Sequence, residues 1–291
     1  MRDRPRDRYA DLQLHSKASD GSDPPAEVVR RAARLGFAAI ALTDHDTMAG
    51  IPEAAAQAEA LGVELVPACE LSTLDASERQ IDILAYGVSP QDVDFRTLLA
   101  QVRGGRLGRA FAMVQRLNEL GHRVSWERVQ ELAGSENVGR PHVARAMVEA
   151  GVVPNVKSAF TNDFIADGGR CYVQRVKISP GEAIQRIHEA GGVAVAAHPG
   201  RTRLSDDEVA ALVETGLDGL EVFYPRHRRT QVARFEALAE RHGLLVTGGS
   251  DDHGDINEGR LMGTIRLAWH FVERLKAAIA ARAGQVALDA Y

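Results

Sequence analysis

The chain has 291 residues, 45% of them hydrophobic, enough to bury a sizeable core as one α/β barrel or as two ordinary domains. Its 35 basic and 40 acidic residues leave a formal charge of −5, which argues against broad electrostatic binding to nucleic acid while leaving room for a local basic cleft. The two cysteines, Cys69 and Cys171, form no CxxC pair, and no apolar run reaches the ~18 residues of a membrane helix, so a reduced, cytoplasmic setting with no membrane contact is expected.

Met1 to Arg8 mixes charges without an apolar core and reads as a frayed arm, neither signal peptide nor anchor. Tyr9 to Leu14 has strand character, ends on His15 and breaks into the turn Ser19-Asp20-Gly21-Ser22. A helix follows from Pro24-Pro25, with Glu27 in its first turn and Val28, Val29, Ala32, Ala33 and Leu35 along one face, until Gly36 stops it. Phe37 to Leu42 is a continuous apolar run that ends in Thr43-Asp44-His45-Asp46. These pieces form one βαβ unit. Buried parallel strands read as unbroken apolar runs, and such folds gather ligand-handling groups where strands end, which places His15, Asp20 and His45 on one rim. Helix Ile51 to Leu61 and strand Val63 to Ala68 bring Glu70 to the same rim. The next strand, Gln80 to Tyr86, carries Asp82 between Ile81 and Ile83, a position that demands a cation or donors.

From residue 92 to 176 the pattern becomes helical, with segments Phe95 to Leu120, Trp126 to Ala133, Arg140 to Ala150 and Asn155 to Ile165. Gly139-Arg140-Pro141-His142 starts one of them and sets a guanidinium and an imidazole beside free backbone N–H groups, a good place for an anion. Alternation resumes with helix Pro180 to Ala190, strand Val193 to Ala197 ending at His198-Pro199-Gly200-Arg201, helix Ser205 to Glu214 and strand Gly219 to Phe223. Helix Arg229 to His242 leads into strand Leu244 to Thr247 and then Gly248-Gly249-Ser250-Asp251-Asp252-His253. Trp269 to Ala281 closes the chain as an amphipathic helix. The expected organisation is a barrel of residues 9–91 and 177–291 interrupted by a helical insertion, 92–176, that serves as a substrate cap.

His15, Asp20, His45, Glu70, Asp82, His198, Asp251 and His253 are thereby collected at strand ends. Imidazoles and carboxylates gathered on one rim need metal to hold them, and two or more divalent ions a few ångströms apart suit phosphoryl transfer. His122, His188, His227, His242 and His270 have no acidic companions in the sequence and read as surface or packing residues. The run Arg226 to Arg229 reads as a solvated face, with phosphate recognition the lesser alternative.

In this order and spacing, Thr43-Asp44-His45-Asp46, Glu70-Leu71-Ser72, Ala197-His198-Pro199-Gly200-Arg201 and Gly249-Ser250-Asp251-Asp252-His253 resemble the PHP (polymerase and histidinol phosphatase) family over nearly the whole chain. With Gly139-Arg140-Pro141-His142 inside the insertion, the likeness is greatest to the stand-alone branch of 3′,5′-nucleoside bisphosphate phosphatases and a related 5′-to-3′ exoribonuclease. The resemblance implies a distorted (β/α)7 TIM-like barrel with three metals at its C-terminal rim. It implies that Glu70 bridges a metal held with His15 and Asp251 and a metal held with His198, and that Asp20, His45 and His253 hold the third. It also implies that Arg140, His142 and Arg201 lie near substrate phosphate.

Two positions depart from the family pattern. Its opening His-x-His pair is here Gln13-Leu14-His15, and Asp82 stands where a second-metal histidine is usual. If both ligate, an amide oxygen and a carboxylate replace two imidazoles and turn the site toward hard ions. The cofactor expected is two or three divalent metals, Mn²⁺ foremost, with Mg²⁺, Fe²⁺ or Zn²⁺ as alternatives.

The function expected is a metal-dependent phosphoesterase that hydrolyses a phosphate monoester of a nucleotide or short oligonucleotide, a 3′,5′-nucleoside bisphosphate above all, by metal-activated water. The partner expected is a small phosphorylated substrate or the 5′ end of a short oligonucleotide, with no stable protein partner. One alternative is a metal-dependent amidohydrolase, which calls for an intact His-x-His and an isolated catalytic aspartate that this sequence lacks. The other is a degenerate barrel that binds a phosphorylated ligand without turnover, for which Gln13 and Asp82 speak.

Overall fold

A computed structural model describes residues 8–134, 138–173, 178–255 and 259–289. The expected N-terminal arm, apart from Arg8, and the expected boundary at 176/177 lie outside them; the Arg8 guanidinium sits over the Trp269 ring. In chain order, β1 (Tyr9–Leu14), α1 (Pro25–Arg34), β2 (Ala39–Leu42), α2 (Ile51–Leu61), β3 (Glu64–Leu74) and β4 (Gln80–Tyr86) come first. α3 (Val93–Glu119), α4 (Trp126–Ala133), α5 (Arg140–Glu149) and α6 (Val156–Ala159) follow. Then come α7 (Pro180–Glu189), β5 (Val193–Ala196), α8 (Asp206–Glu214), β6 (Gly219–Phe223), α9 (Arg229–His242), β7 (Leu245–Gly248), β8 (Leu267–Ala268) and α10 (Trp269–Asp289). Residues up to Thr97 together with those from Ile178 onward form one compact unit, and the stretch between forms another.

The first unit is a nearly closed, distorted α/β barrel. Its sheet runs β7-β6-β5-β4-β3-β2-β1-β8. β1, β2 and β3 are parallel neighbours, as are β5, β6 and β7, whereas β4 is antiparallel to both β3 and β5. Past the end of β7 the chain lies along β1: Asp251 N–H donates to Gln13 O (2.9 Å), His15 N–H to Asp252 O (3.0 Å) and Ser250 N–H to Asp11 Oδ1 (2.8 Å). Gly249 permits this approach, because a Cβ there would lie 2.4 Å from the Gln13 nitrogen. Alternate strand residues Ala10, Leu12, Ala39, Ala41, Val66, Ala68, Leu84, Tyr86, Val193 and Val195 share one hydrophobic cluster with Val272 and Leu275 of α10. One face of strands that are buried on both sides thus meets the apolar stripe of the last helix.

The second unit packs the later part of α3 with α4 and α5 around Met113, Leu117, Val129, Val143, Met147 and Ile165. Ser125 caps α4 by accepting from Arg128 N–H, and Gly134, in the left-handed region at φ 61°, ends it.

Four expectations change. β3 does not stop near Cys69 but runs to Leu74, because Ala68 to Leu74 pair residue by residue with β4; Glu70 is therefore inside a strand. The helix expected from Asn155 to Ile165 is only α6, since Phe160 leaves helical geometry and Thr161, Asn162 and Asp163 continue in turns. α10 extends beyond Ala281 to Asp289, and β8, two residues long on the free edge of β1, carries no sequence signal. His188 does have an acidic companion, with Nε2 2.8 Å from Asp218 Oδ2, a contact that only the tertiary fold creates.

Candidate metal centre

β1 delivers Gln13 and, just past its end, His15, both buried in the barrel. The turn after β1 is tied down by Asp44, which accepts from Ser16 N–H (2.7 Å), Ser16 Oγ (2.6 Å) and Ser19 Oγ (2.6 Å), so Asp20 is held by a residue from the end of β2. His45 pairs beside Glu70 as an isolated bridge, and Asp46 accepts the Ser72 N–H at 2.8 Å, which extends the β2–β3 pairing to the rim. His198 and Asp251 both adopt the left-handed region, at φ 30° and 54°, as does Asp46 at φ 52°. Such backbone strain in residues other than glycine concentrates at functional sites.

The side chains form three groups that share members. His15, Asp20, His45 and His253 make the first; His15, Glu70 and Asp251 the second; Glu70, Asp82 and His198 the third. His15 Nε2 is 3.2 Å from Glu70 Oε2 and 3.1 Å from Asp251 Oδ1, and His198 Nε2 is 3.0 Å from Glu70 Oε1. His253 Nε2 is 3.4 Å from Asp20 Oδ1, and His45 Nε2 is 4.0 Å from Asp20 Oδ2. Glu70 thus offers one oxygen to each side. Gln80 Nε2 meets both Asp82 oxygens at 2.8 Å, so part of the donor demand of that carboxylate is met from its own strand.

Burial works against every charge here, yet the opposite charges win. Burial raises the Glu70 carboxyl, but the charge of His45 and hydrogen bonds from His15 and His198 hold it well below the usual carboxylate range. Asp20 is likewise held well below by His253 and His45 against its burial, and Asp251 is lowered by His253 and His15. Burial lowers His198, but its contact with Glu70 carries it up to about 9, and Asp251 and Glu70 carry His15 well above its ordinary value. This is a set of carboxylates and imidazoles each waiting for a cation, protons filling that role where no metal is bound.

The donor set fits divalent metals. Gln13 donates from Nε2 to Glu70 Oε2 at 3.0 Å, and its buried Oε1 has no hydrogen-bond partner among the described residues. A buried amide oxygen left without a donor, beside a carboxylate that bridges two ligand groups, has the chemistry of a metal ligand.

Of the expected phosphate-contacting residues, Arg201 is at the centre, with Nη1 3.9 Å from Asp251 Oδ2. Arg140 and His142 belong to the second unit. There Arg140 pairs with Asp167 at 2.6 Å, and buried His142 accepts the Gly139 N–H on Nδ1, which takes up one of the N–H groups expected to be free for an anion.

The sequence does not announce the groups that brace the ligands. Asp252 stands between two candidate ligands in sequence, but its buried carboxylate accepts from Arg31 Nη1 (3.0 Å) and from the N–H groups of Leu261 and Met262. Tyr224 OH donates to Asp251 Oδ2 at 3.1 Å, and its ring lies 5.5 Å from that of His198. Glu221 Oε2 accepts the His198 N–H at 2.9 Å, and burial raises its carboxyl well above the usual range. Asp11, wholly buried, is pushed up to about 7. A polar residue inside an apolar strand, as at Asp11 and Glu221, was the available signal.

The PHP domain model matches residues 11–138. The chain is 35% identical to the phosphoribosyl 1,2-cyclic phosphate 1,2-diphosphodiesterase of Eggerthella lenta, over 84% of this chain and 94% of that protein. The chain belongs to the PHP family. Another PHP relative, the 3′,5′-nucleoside bisphosphate phosphatase of Chromobacterium violaceum, is 33% identical over 87% of this chain and 90% of its own. A crystal structure from Bifidobacterium adolescentis, designated a metal-dependent phosphoesterase, superposes with a TM-score of 0.84 at 34% identity, covering 94% of this chain and 98% of that one. The kinship of the present chain with metal-dependent phosphoesterases and the three candidate ligand groups of its barrel support divalent metal, and no helix among the described residues is long and apolar enough to cross a membrane.

Proposed function

We propose that this metal-dependent phosphoesterase releases phosphate from a nucleotide or short oligonucleotide monoester, with a 3′,5′-nucleoside bisphosphate as its substrate and Mn²⁺ as its metal. The observation that carries the reading is the chain of three ligand groups linked through His15 and Glu70, with the Arg201 guanidinium beside them. Divalent ions in such a centre supply Lewis acidity toward phosphate oxygens and a water of lowered pKa. Everything else is done by the protein. Arg201 supplies a fixed positive charge where negative charge develops on phosphate. Tyr224, whose hydroxyl is kept protonated by burial and by Asp251, orients Asp251 by donating to it. Asp44 and Asp252 hold the loops that carry Asp20 and His253. Four carboxylates in the ligand groups, Asp20, Glu70, Asp82 and Asp251, are neutralised by two divalent ions, and a third leaves an excess that attracts a phosphate dianion.

Phosphate release from adenosine 3′,5′-bisphosphate by protein reloaded with Mn²⁺, beside a chelator-stripped control, tests this. Metal-dependent release preferring the bisphosphate to a mononucleotide is expected. The name of the Eggerthella lenta relative favours a second reading, a ribose cyclic phosphodiester as substrate, and release from a ribose 1,2-cyclic phosphate in place of the bisphosphate would select it. Both names describe a ribose that carries phosphate at two positions. Silence on all of them, from protein that binds metal, would select the non-catalytic reading that Gln13 and Asp82 favour.

A further inference from the structure

Arg31, in the last turn of α1, is buried, as are Val28, Val29 and Ala32 of the same helix. A guanidinium in such a place costs free energy unless carboxylates meet it. Its Nη1 stands 2.7 Å from Asp23 Oδ2 and 3.0 Å from Asp252 Oδ2, so one nitrogen joins the loop after β1 to the segment after β7. Both carboxylates sit next to candidate ligands: Asp23 follows Asp20 by three residues, and Asp252 stands between Asp251 and His253.

Through Asp252 the guanidinium reaches three ligands at once. Asp251 and His253 are its chain neighbours, and its backbone oxygen accepts the His15 N–H at 3.0 Å. Asp252 Oδ2 also accepts the Gly254 N–H at 3.3 Å, which turns the chain just past His253. There the two loops meet: Ser22 N–H donates to His253 O and Asp255 N–H to Ser22 Oγ, each at 2.9 Å, and a Cβ on Gly254 would collide with that Oγ. Arg260 adds an exposed outer arm, with Nη1 2.8 Å from Asp23 Oδ2 and Nη2 2.8 Å from Asp255 Oδ2. The ligands held in this way fall on one side of the centre. His15, Asp20 and His253 belong to the first group and His15 and Asp251 to the second, whereas the third, Glu70, Asp82 and His198, stands on β3, on β4 and past the end of β5.

From this geometry we infer that Arg31 is a positioning residue: by pairing with Asp23 and Asp252 it sets the spacing of His15, Asp20, Asp251 and His253, and so fixes the metal affinity of the first two groups and not of the third. Without the guanidinium, Asp252 is a buried carboxylate that has lost its cation, and the segment must move to hydrate it. Metal ligands tolerate displacements of only about 0.2 Å, so a small shift of Asp251 and His253 is enough to weaken their ions. The inference rests on the metal-dependent phosphoesterase reading and deepens it. A helix outside the ligand set tunes part of the centre.

Mn²⁺ titrated calorimetrically into chelator-stripped protein, with the fold checked by circular dichroism, tests this on Arg31→Gln, Asp252→Asn, the double variant and Arg260→Ala. Wild type is expected to bind more than one ion. Arg31→Gln should weaken every ion but one by roughly 10- to 100-fold in Kd and leave that one within about threefold. Asp252→Asn should show the same selective loss, and it decides the matter if Arg31→Gln does not fold. The double variant should be no weaker than the weaker single one, because the two residues act as a unit. Arg260→Ala, which cuts only the exposed arm, should stay within about threefold. Equal weakening of all ions, no weakening, additive losses, a loss in Arg260→Ala that matches Arg31→Gln, or a wild type that binds a single ion would each overturn the inference. Binding is read and not turnover, so a protein that takes up Mn²⁺ in this pattern and hydrolyses no phosphoester fails the phosphoesterase reading alone.

Discussion

The two ends of the metal centre are built from different chemistry. At one end His15, His45 and His253 surround a single carboxylate, Asp20; the His15 and His253 rings stack 4.0 Å apart, and all but His15 are partly exposed. At the other end Glu70 and Asp82 face a single imidazole, His198, and all three are buried. Imidazole-rich groups suit borderline ions and exchange them when solvent reaches them, whereas buried carboxylates favour hard, oxygen-seeking ions and release them slowly. Metals bound there would therefore occupy one exchangeable position and one captive one. Glu70 and the His15–Asp251 pair join them.

The substitution that should collapse this distinction altogether is Glu70→Gln. It removes the shared ligand, and turnover should fall on the order of 10³-fold or more while metal content drops by two ions together. Loss of one ion, with activity largely kept, would break the bridging assignment. Asp82→His makes the captive end resemble the exchangeable one. Its preference should move toward Zn²⁺ over Mn²⁺ by roughly 10- to 100-fold, read from metal content after competitive loading.

Acidity separates the metal-free state from the metal-bound one. His198 titrates near 9 in the metal-free fold against an ordinary 6.5. A raised imidazole stabilises the fold fully below its unfolded value, and that stability is lost as pH climbs through the folded value. Chelator-stripped protein should therefore lose several degrees of Tm between pH 6.5 and 9, while metal-loaded protein, whose His198 is already deprotonated, should not. Arg140→Ala sharpens the contrast between the barrel and the second unit: if the arginine meets substrate, KM should rise several-fold with metal content intact. The smallest effect belongs to Gln13→His, which restores an imidazole beside Glu70 and should change activity by less than about threefold.

Much of this was legible because the barrel writes its rim as punctuation. His15, His45, His198, Asp251 and His253 each follow an apolar run that breaks abruptly, and Asp20 sits in a turn. Asp82 was legible for another reason, as a carboxylate flanked by Ile81 and Ile83, although its strand runs opposite to both neighbours. Glu70 was found by its apolar lead-in, but its true place inside β3 depends on pairing with β4, which no local pattern encodes. Asp44 and Asp252 lie inside the motifs that carry candidate ligands but act as braces, a role visible only once the folded chain brings Arg31 to Asp252 and Ser16 and Ser19 to Asp44. The Arg226–Arg229 run reads as a solvated face, and Arg226, Arg228 and Arg229 are exposed; that Arg226 and Arg228 border one cavity with Gly200 and Gln231 follows only from the folded chain.

The seam between β1 and the segment after β7 sets an order of events during synthesis. His15 leaves the ribosome early and Asp251 late, so the pair that links the two ends of the centre forms only after almost the entire chain has been made. Non-local pairings of this kind are slow to form, and before they form, the edge of β1 and several imidazoles are open to other partners. A metal ion bound across the seam is therefore a mark of completed folding: nascent chains that stop short of Asp251 can collect single ions at scattered histidines but cannot assemble the linked set.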